Sequence, residues 1–306
     1  MIRPVRVPSV ADLTKAWDVV SAHLGPTPLS QWLKLESAQP IGSFKIRGAL
    51  AAMSALPADV EVVTASAGNH GLGVALAAQL LHRRATVVVP GNASSAKVAA
   101  LRGYGVNLVE VGTSYDDAEN HALAMDAYYL SPYNDPDVIA GQGTIGFELD
   151  AQVDGPMTVV CGIGGGGLAA GLGLWASQRP DVHIVGVEAA ASTALSSSIK
   201  AGGYTTVTVG DTLADGMAGN IERGSVTVGL VSQHVGQLVT VTEPEIRSAI
   251  RYLATTHGLI AEGAGATHVA ALLANKVTVH GHPIAIISGR NIALPTLATV
   301  LAEADS

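Results

Sequence analysis

The sequence predicts an α/β protein with open parallel sheets in two lobes. Three observations lead there: short apolar, β-rich runs with almost no polar interruption, helix-period stretches between them, and one turn-rich break, SPYNDPD at residues 131–137, that divides the strands into two groups. Strands buried on both faces read as continuous apolar runs rather than alternating ones. Repeated strand–helix units with short connections build a parallel sheet with helices on both faces.

In chain order, strands are expected at 60–65 (VEVVTA), 85–89 (ATVVV) and 107–111 (NLVEV), then, beyond the break, at 157–161 (MTVVC), 182–187 (VHIVGV), 238–241 (LVTV) and 283–287 (PIAII). Helical periodicity places helices at 71–81, 94–101, 115–129, 168–177, 244–255, 264–273 and 292–301. Another helix opens at Lys45, after a turn containing Pro40 and Gly42. No repeat or low-complexity tract interrupts the pattern. In such proteins ligands bind beyond the carboxyl ends of the strands, so functional motifs are expected just after strands.

The 306 residues include 35 glycines, 17 basic against 25 acidic residues for a net charge of −8, one cysteine, 14% charged residues and 4% aromatics. A globular average is about 25% charged and about 7% glycine, so charge is depleted and glycine enriched; with two phenylalanines, the core is expected to be aliphatic. The length suffices for one or two domains. A negative net charge without a Lys/Arg cluster argues against nucleic acid or an anionic membrane as partner. The single Cys161 excludes a disulfide scaffold and any paired-cysteine metal or redox site. The opening MIRPVRVPSVADLTKAW lacks the apolar segment of a secretion signal, so the cytoplasm is the expected compartment.

Residues 155–178 (GPMTVVCGIGGGGLAAGLGLWASQ) form an uncharged run long enough to cross a bilayer. Four consecutive glycines within it, each costing a helix about 1 kcal/mol relative to alanine, make strand, glycine loop and helix the better reading.

Three motifs carry chemistry. The first is CGIGGGGL at 161–168, between a strand and a helix. Consecutive glycines let backbone N–H groups close on an anion, and the helix N-terminus adds partial positive charge, which suits a phosphate. The same residues fit a dinucleotide fingerprint, with Gly162, Gly164 and Gly167 as its glycines and Glu188 ending the next strand; alone that match is weak. The second is QPIGSFKIRGAL at 39–50. An amine at a helix N-terminus has its neutral form favoured, as a Schiff-base lysine requires, although a lone lysine is most often a solvated surface charge. Phe44 beside Lys45 can pack against a flat ring. The third is TASAGNHGL at 64–72, where Ser66, Gly68, Asn69 and His70 present N–H groups and short polar side chains at a helix start. That suits a carboxylate, and equally an ordinary N-cap. The ten histidines show no metal-ligand spacing, and no nucleophile elbow is present. An aldehyde cofactor with a phosphate, linked to lysine and receiving an amino acid, needs all three motifs together: pyridoxal phosphate.

These motifs resemble, in order and over nearly the whole chain, the fold type II (β-family) pyridoxal-phosphate enzymes of the serine/threonine dehydratase and serine racemase branch. The similarity runs from GPTPL (25–29) through LKLESAQPIGSFKIRGA, TASAGNHGLGVA, DPDVIAGQGTIGFEL, GGGGLAAG, LADG (213–216) and EGAGA (262–266) to SGRN (288–291). The resemblance implies a tryptophan synthase β-like fold of two open parallel-sheet α/β domains with the cofactor in the cleft between them. A large cofactor domain is expected from residues 1–57 and 138–306, and a small substrate-loop domain from 58–137. It implies Lys45 as the Schiff-base lysine and α-proton base; Phe44, Asn69, Gly164, Gly165, Gly166, Gly167 and Ser288 around the cofactor; and Ser66, Ala67, Gly68, Asn69 and His70 on the substrate carboxylate. Asn69 would bond the phenolic oxygen and Ser288 the pyridine nitrogen. A serine hydroxyl does not hold that nitrogen protonated as a carboxylate would, which favours prompt loss of a β-leaving group. The expected activity is elimination of water from a β-hydroxy amino acid such as L-threonine or L-serine, giving a 2-oxo acid and ammonia. Family members are commonly homodimers.

Departures refine this expectation. SAGNHG and GGGG differ from the TSGNTG-type and GTGGT-type loops of the β-replacement relatives. Racemases of the branch carry SSGNH, with a serine as the opposite-face acid; here Ala67 stands in its place, and a methyl group donates no proton. Serine racemase is therefore the alternative within the family, and an NAD-dependent oxidoreductase or a binding module without turnover the alternatives outside it. At the racemase cation site Glu188 is matched but the second carboxylate is replaced by Ala194; a hard cation wants several oxygens, so the case for a divalent cation is weak, and Glu188 reads equally as a structural carboxylate. The segment LSQWLKL (29–35) is shorter than the family usually has, and substrate access or a subunit contact is expected to differ there. The chain ends soon after SGRN, so the regulatory domain of biosynthetic threonine dehydratases, and control by isoleucine, are not expected.

Overall fold

A computed structural model describes residues 5–303 of the chain. Its strands are β1 (Leu29–Ser30), β2 (Leu33–Lys34), β3 (Val62–Ala65), β4 (Ala85–Val89), β5 (Asn107–Glu110), β6 (Tyr128–Tyr129), β7 (Met157–Gly162), β8 (Val182–Ala189), β9 (Gln237–Val241) and β10 (His282–Ile286). The helices are α1 (Val10–His23), α2 (Lys45–Ala55), α3 (Asn69–Leu80), α4 (Ser95–Arg102), α5 (Tyr115–Ala124), α6 (Pro136–Gly143), α7 (Ile145–Gln152), α8 (Gly167–Ala176), α9 (Ala194–Lys200), α10 (Val226–His234), α11 (Glu243–His257), α12 (Gly263–Leu273) and α13 (Leu294–Ala302).

Two sheets result: a six-stranded one in the order β1-β2-β10-β7-β8-β9 and a four-stranded one in the order β5-β4-β3-β6. Every pairing between these strands is parallel except the β1/β2 hairpin. The shortened 29–35 segment is that hairpin, turning through Gln31 at φ 56 and laying Leu33 and Lys34 beside β10.

Strand periodicity of two divides the core of the larger sheet. Val159, Cys161 and Ile184 join one apolar layer with α6 and α8, while Val160, Val185 and Ala285 join the other with α11 and α12. β3, β4 and β7 are buried almost throughout, and the edge strands β5 and β9 are not, as the continuous apolar runs of the former require. The uncharged run at 155–178 is β7, a loop and α8; among the described residues no helix is long and apolar enough to cross a membrane.

One expected element is corrected. The helix expected over 115–129 ends at Ala124, and Tyr128–Tyr129 form β6 against Val62 and Val63. The residues of 131–137 lead into α6: Asp135 caps it by accepting the N–H groups of Asp137 and Val138, with Pro136 in the first turn. Helix α6 lies between α2 and α8 at glycine distance, since a Cβ on Gly171 would meet the Ile139 carbonyl oxygen at 2.3 Å.

The start of α2 is anchored by buried charge. The Arg47 guanidinium spans Glu36 (Nε to Oε2, 2.7 Å) and Glu148 (Nη2 to Oε1, 2.6 Å), and Lys34 Nζ reaches Glu148 Oε2 at 2.5 Å. Thr27 donates its hydroxyl to Glu36 and its N–H to Glu148. Two cations and two carboxylates thus cancel inside the protein. Burial works against the Glu36 carboxylate, but the Arg47 charge and its hydrogen bonds overcome that and hold the carboxyl below its usual range.

Candidate active site

Lys45 is the first residue of α2, reached through Ser43, which bridges to Gly289, and Phe44, whose N–H donates to the Ser288 carbonyl. Its Nζ donates to the Pro132 carbonyl at 2.8 Å and lies 5.3 Å from the centre of the Phe44 ring. Burial lowers the amine to about 8, against the pull of Glu262. The neutral, nucleophilic form is therefore accessible near neutrality.

Next to Pro132, the Tyr133 ring rests on the glycine loop. A Cβ on Gly165 would fall 2.2 Å from that ring, and one on Gly167 would fall 3.0 Å from Tyr133 Cα. Gly166 adopts φ +88 as the N-cap of α8, a left-handed conformation that favours glycine. The N–H groups of Gly164 through Gly167 reach no acceptor among the described residues. They stand at a helix N-terminus, where a phosphate supplies the missing acceptors. These unpaired donors and the lysine amine fit a phosphate-bearing aldehyde.

The 66–70 segment links the end of β3 to the start of α3. Gly68 N–H donates to Ser66 Oγ, and Ala67 places a methyl where no proton is available. His70 is buried; Nε2–H donates to the Leu130 carbonyl at 3.1 Å, Nδ1 has no partner, and burial with the nearby Lys45 charge drives the ring down to about 3, so it is neutral. The Asn69 Nδ2 donates to Glu262 Oε1 at 2.7 Å, and Asn69 Oδ1 accepts from Asn291 Nδ2 at 2.6 Å. One Nδ2 hydrogen of Asn69 stays uncommitted. Glu262 also accepts the Asn291 N–H, and burial lifts its carboxyl to about 7. The Ser288 side chain is buried, with its hydroxyl 3.5 Å from the Ala264 carbonyl at the start of α12.

The structure thus gathers Phe44, Lys45, Asn69, His70, the glycine loop and Ser288 around the ends of β3, β7 and β10. Glu188 lies apart: its Oε1 accepts the N–H groups of Leu195 and Ser196, capping α9, and Oε2 is buried without a partner. No group of three or more metal-ligating side chains forms among the described residues. Four site neighbours escape the motif reading. Glu262 and Asn291 stand inside the quoted EGAGA and SGRN segments with no role attached, while Pro132 and Tyr133 lie in a segment legible only as a turn.

A buried lysine amine beside an anion-binding glycine loop, at the carboxyl ends of parallel strands, defines a class of protein equipped for an aldehyde cofactor with a phosphate arm. The chain belongs to the pyridoxal-phosphate dependent enzyme family, whose model matches residues 20–289. It is 42% identical over 270 residues to the L-threonine ammonia-lyase of Thermotoga maritima, covering 85% of this chain and 67% of that protein. It is 37% identical over 288 residues to the catabolic L-threonine dehydratase of Escherichia coli, covering 90% and 87%. Among solved structures it is similar to threonine deaminase isoform 2 of Solanum lycopersicum in its processed form (TM-score 0.87, 31% identity, covering 99% of this chain and 97% of that one). It is also similar to maize serine racemase (TM-score 0.88, 29% identity, covering 96% and 97%).

Proposed function

We propose that this chain is a pyridoxal-phosphate-dependent ammonia-lyase that removes water from L-threonine or L-serine, releasing an enamine that hydrolyses to a 2-oxo acid and ammonia. The observation that carries the reading is Lys45, its amine lowered by burial and held at the Pro132 carbonyl beside the glycine loop.

Lys45 would hold the cofactor through its amine and, once displaced by substrate, take the α-proton at Nζ. The N–H groups of Gly164 to Gly167 would hold the phosphate, and the remaining Nδ2 hydrogen of Asn69 the phenolic oxygen. Ser66, Gly68, Asn69 and His70 would receive the substrate carboxylate; the neutral His70 ring adds no charge there, while its Nε2–H fixes the ring on Leu130. When bound, pyridoxal phosphate supplies an electron-withdrawing ring for the charge left by the departing proton. Ser288 would offer such a ring a hydroxyl and no negative charge, a setting that would favour early departure of the β-hydroxyl. Ala67 gives the opposite face no proton donor, so elimination wins over racemisation.

The test is a coupled assay for 2-oxo acid release from L-threonine, L-serine and an acidic 3-hydroxy amino acid, with chiral analysis of recovered serine. Release of 2-oxobutanoate or pyruvate with serine left as the L-isomer is expected. D-serine formed faster than pyruvate would replace this reading with racemisation.

A further inference from the structure

Two stretches of the site meet through one carboxylate. Glu222 lies in the loop before α10, 91 residues from Ser131 in sequence. Its Oε1 accepts the Ser131 hydroxyl at 2.5 Å and its Oε2 accepts Asn134 Nδ2 at 2.8 Å. Its backbone N–H donates to the Tyr133 hydroxyl at 2.7 Å. Glu222 therefore brackets the Pro132–Tyr133 dipeptide, and those two residues make the contacts that matter: the Pro132 carbonyl holds the Lys45 amine, and the Tyr133 ring lies on Gly165 and Gly167. The start of α10, just beyond that loop, closes the circuit. Val226 N–H donates to Asn134 Oδ1 at 3.1 Å, and Thr227 Oγ1 donates to the Gly165 carbonyl at 2.8 Å.

We infer that Glu222 is a positioning residue that sets the lysine and the phosphate loop in register by clasping residues 131–134. It touches no reacting atom. A clasp of this kind matters because its donors and acceptors are matched one to one: Ser131 and Asn134 donate, and the carboxylate accepts from both. Any change that puts donor against donor or acceptor against acceptor leaves part-buried polar groups unsatisfied and forces the dipeptide to shift. The inference rests on Lys45 and the glycine loop being the cofactor site.

That matching supplies a test by reversal. In Asn134→Asp two carboxylates face each other and no rotation relieves them; in Glu222→Gln the amide turns so that its oxygen still accepts from Asn134 and its N–H₂ donates to the Ser131 oxygen, so that variant is the mild one. In the double variant the new carboxylate at position 134 accepts both from the new amide at position 222 and from the Val226 N–H, so every hydrogen bond returns with one direction reversed. Cofactor-stripped protein is titrated with pyridoxal phosphate, attachment being read by its visible absorption band, and thermal unfolding is followed in parallel. Asn134→Asp is expected to bind the cofactor about tenfold or more weakly, and Glu222→Gln and the double variant each within about threefold of the parent, the non-additivity that marks a direct pair. A double variant as weak as Asn134→Asp alone, or an Asn134→Asp protein that melts lower with unchanged affinity, would overturn the positioning role. Ser131→Ala, which removes the hydroxyl's bond to Glu222 and the one it accepts from the Asn134 N–H and keeps the Glu222–Asn134 side-chain bond, serves if a single variant does not fold: a modest loss of affinity is expected, and none would overturn the clasp. Failure of the parent protein to attach pyridoxal phosphate would instead overturn the reading of Lys45 itself.

Discussion

Helix α2 carries two cations two residues apart, and their surroundings are opposites. Arg47 sits in a closed set with Lys34, Glu36 and Glu148, in which each charge has a counter-charge within 2.8 Å. Lys45 sits among groups that are under-paired: a carbonyl for its amine, His70 with a bare Nδ1, glycine N–H groups without acceptors, and Glu262 bonded to amides but to no cation. The difference separates scaffold from site. Burial of Arg47 and Glu36 is offset by their mutual attraction, which raises the guanidinium and lowers the carboxyl and so fixes the helix, although burial still depresses the Lys34 amine. Burial at Lys45 and Glu262 is not offset; the amine is lowered and the carboxyl raised, and the free hydrogen-bonding capacity is left for a ligand.

Substitution should expose that contrast as a difference of sign. The largest effect is expected for Lys45→Met: no cofactor attachment and no turnover, with a higher melting temperature for the cofactor-free protein. The amine is depressed to about 8 in the folded protein, so below that pH the folded state bears the full cost of a buried ammonium, relieved only as pH rises from about 8 towards the unfolded value near 10.5. Methionine removes that cost at neutral pH. Absorbance after cofactor addition and thermal unfolding without cofactor check the two halves, and a lower melting temperature would refute the contrast. Removing a quartet member should do the reverse: Glu148→Ala leaves Lys34 and part of Arg47 buried without their partner and is expected to destabilise by about 3–5 kcal/mol, measured by denaturant unfolding.

A smaller effect is expected for Gly165→Ala, whose new methyl would enter the Tyr133 ring. Overpacking of this kind costs about 1–3 kcal/mol. Because the ring and loop must separate, cofactor affinity should fall in parallel, so fluorescence titration with pyridoxal phosphate and thermal unfolding should move together. A lower melting temperature with unchanged affinity would show that the ring contact is packing alone.

What the sequence discloses follows how local each signal is. The central strands are legible because burial on both faces writes an unbroken apolar run, and Lys45, Asn69 and the glycine loop are legible because each motif lies on one strand–turn–helix passage. β6 is not, because its pairing with Val62 and Val63 joins segments more than sixty residues apart while its own residues continue a helix-like pattern. Helix α6 escapes periodicity for a different reason: six of its eight residues are buried, several of them small, so it has little polar face to mark a period. Glu262 and Glu222 work by contacts 193 and 91 residues away in sequence, to Asn69 and Ser131. Such partners become visible only when the chain has folded.

The smallest expected effect probes the under-paired side most directly. Burial raises the Glu262 carboxyl to about 7, well above its ordinary value of 4.5. Between those two pH values the folded protein keeps a proton that the unfolded chain has released, so stability falls as pH climbs through the window, and the loss is complete above about 7. Glutamine at this position keeps an oxygen for the Asn69 amide and cannot ionise, though it sets an N–H₂ against the Asn291 N–H. The net gain is therefore expected to be modest, about 1 kcal/mol at pH 8 and absent at pH 5. Thermal unfolding of the cofactor-free parent and Glu262→Gln from pH 5 to 8 should show the difference growing with pH. A difference flat across that range would mean that Glu262 ionises at the ordinary carboxylate value, and that its bonds to Asn69 and Asn291 offset its burial as Arg47 offsets that of Glu36.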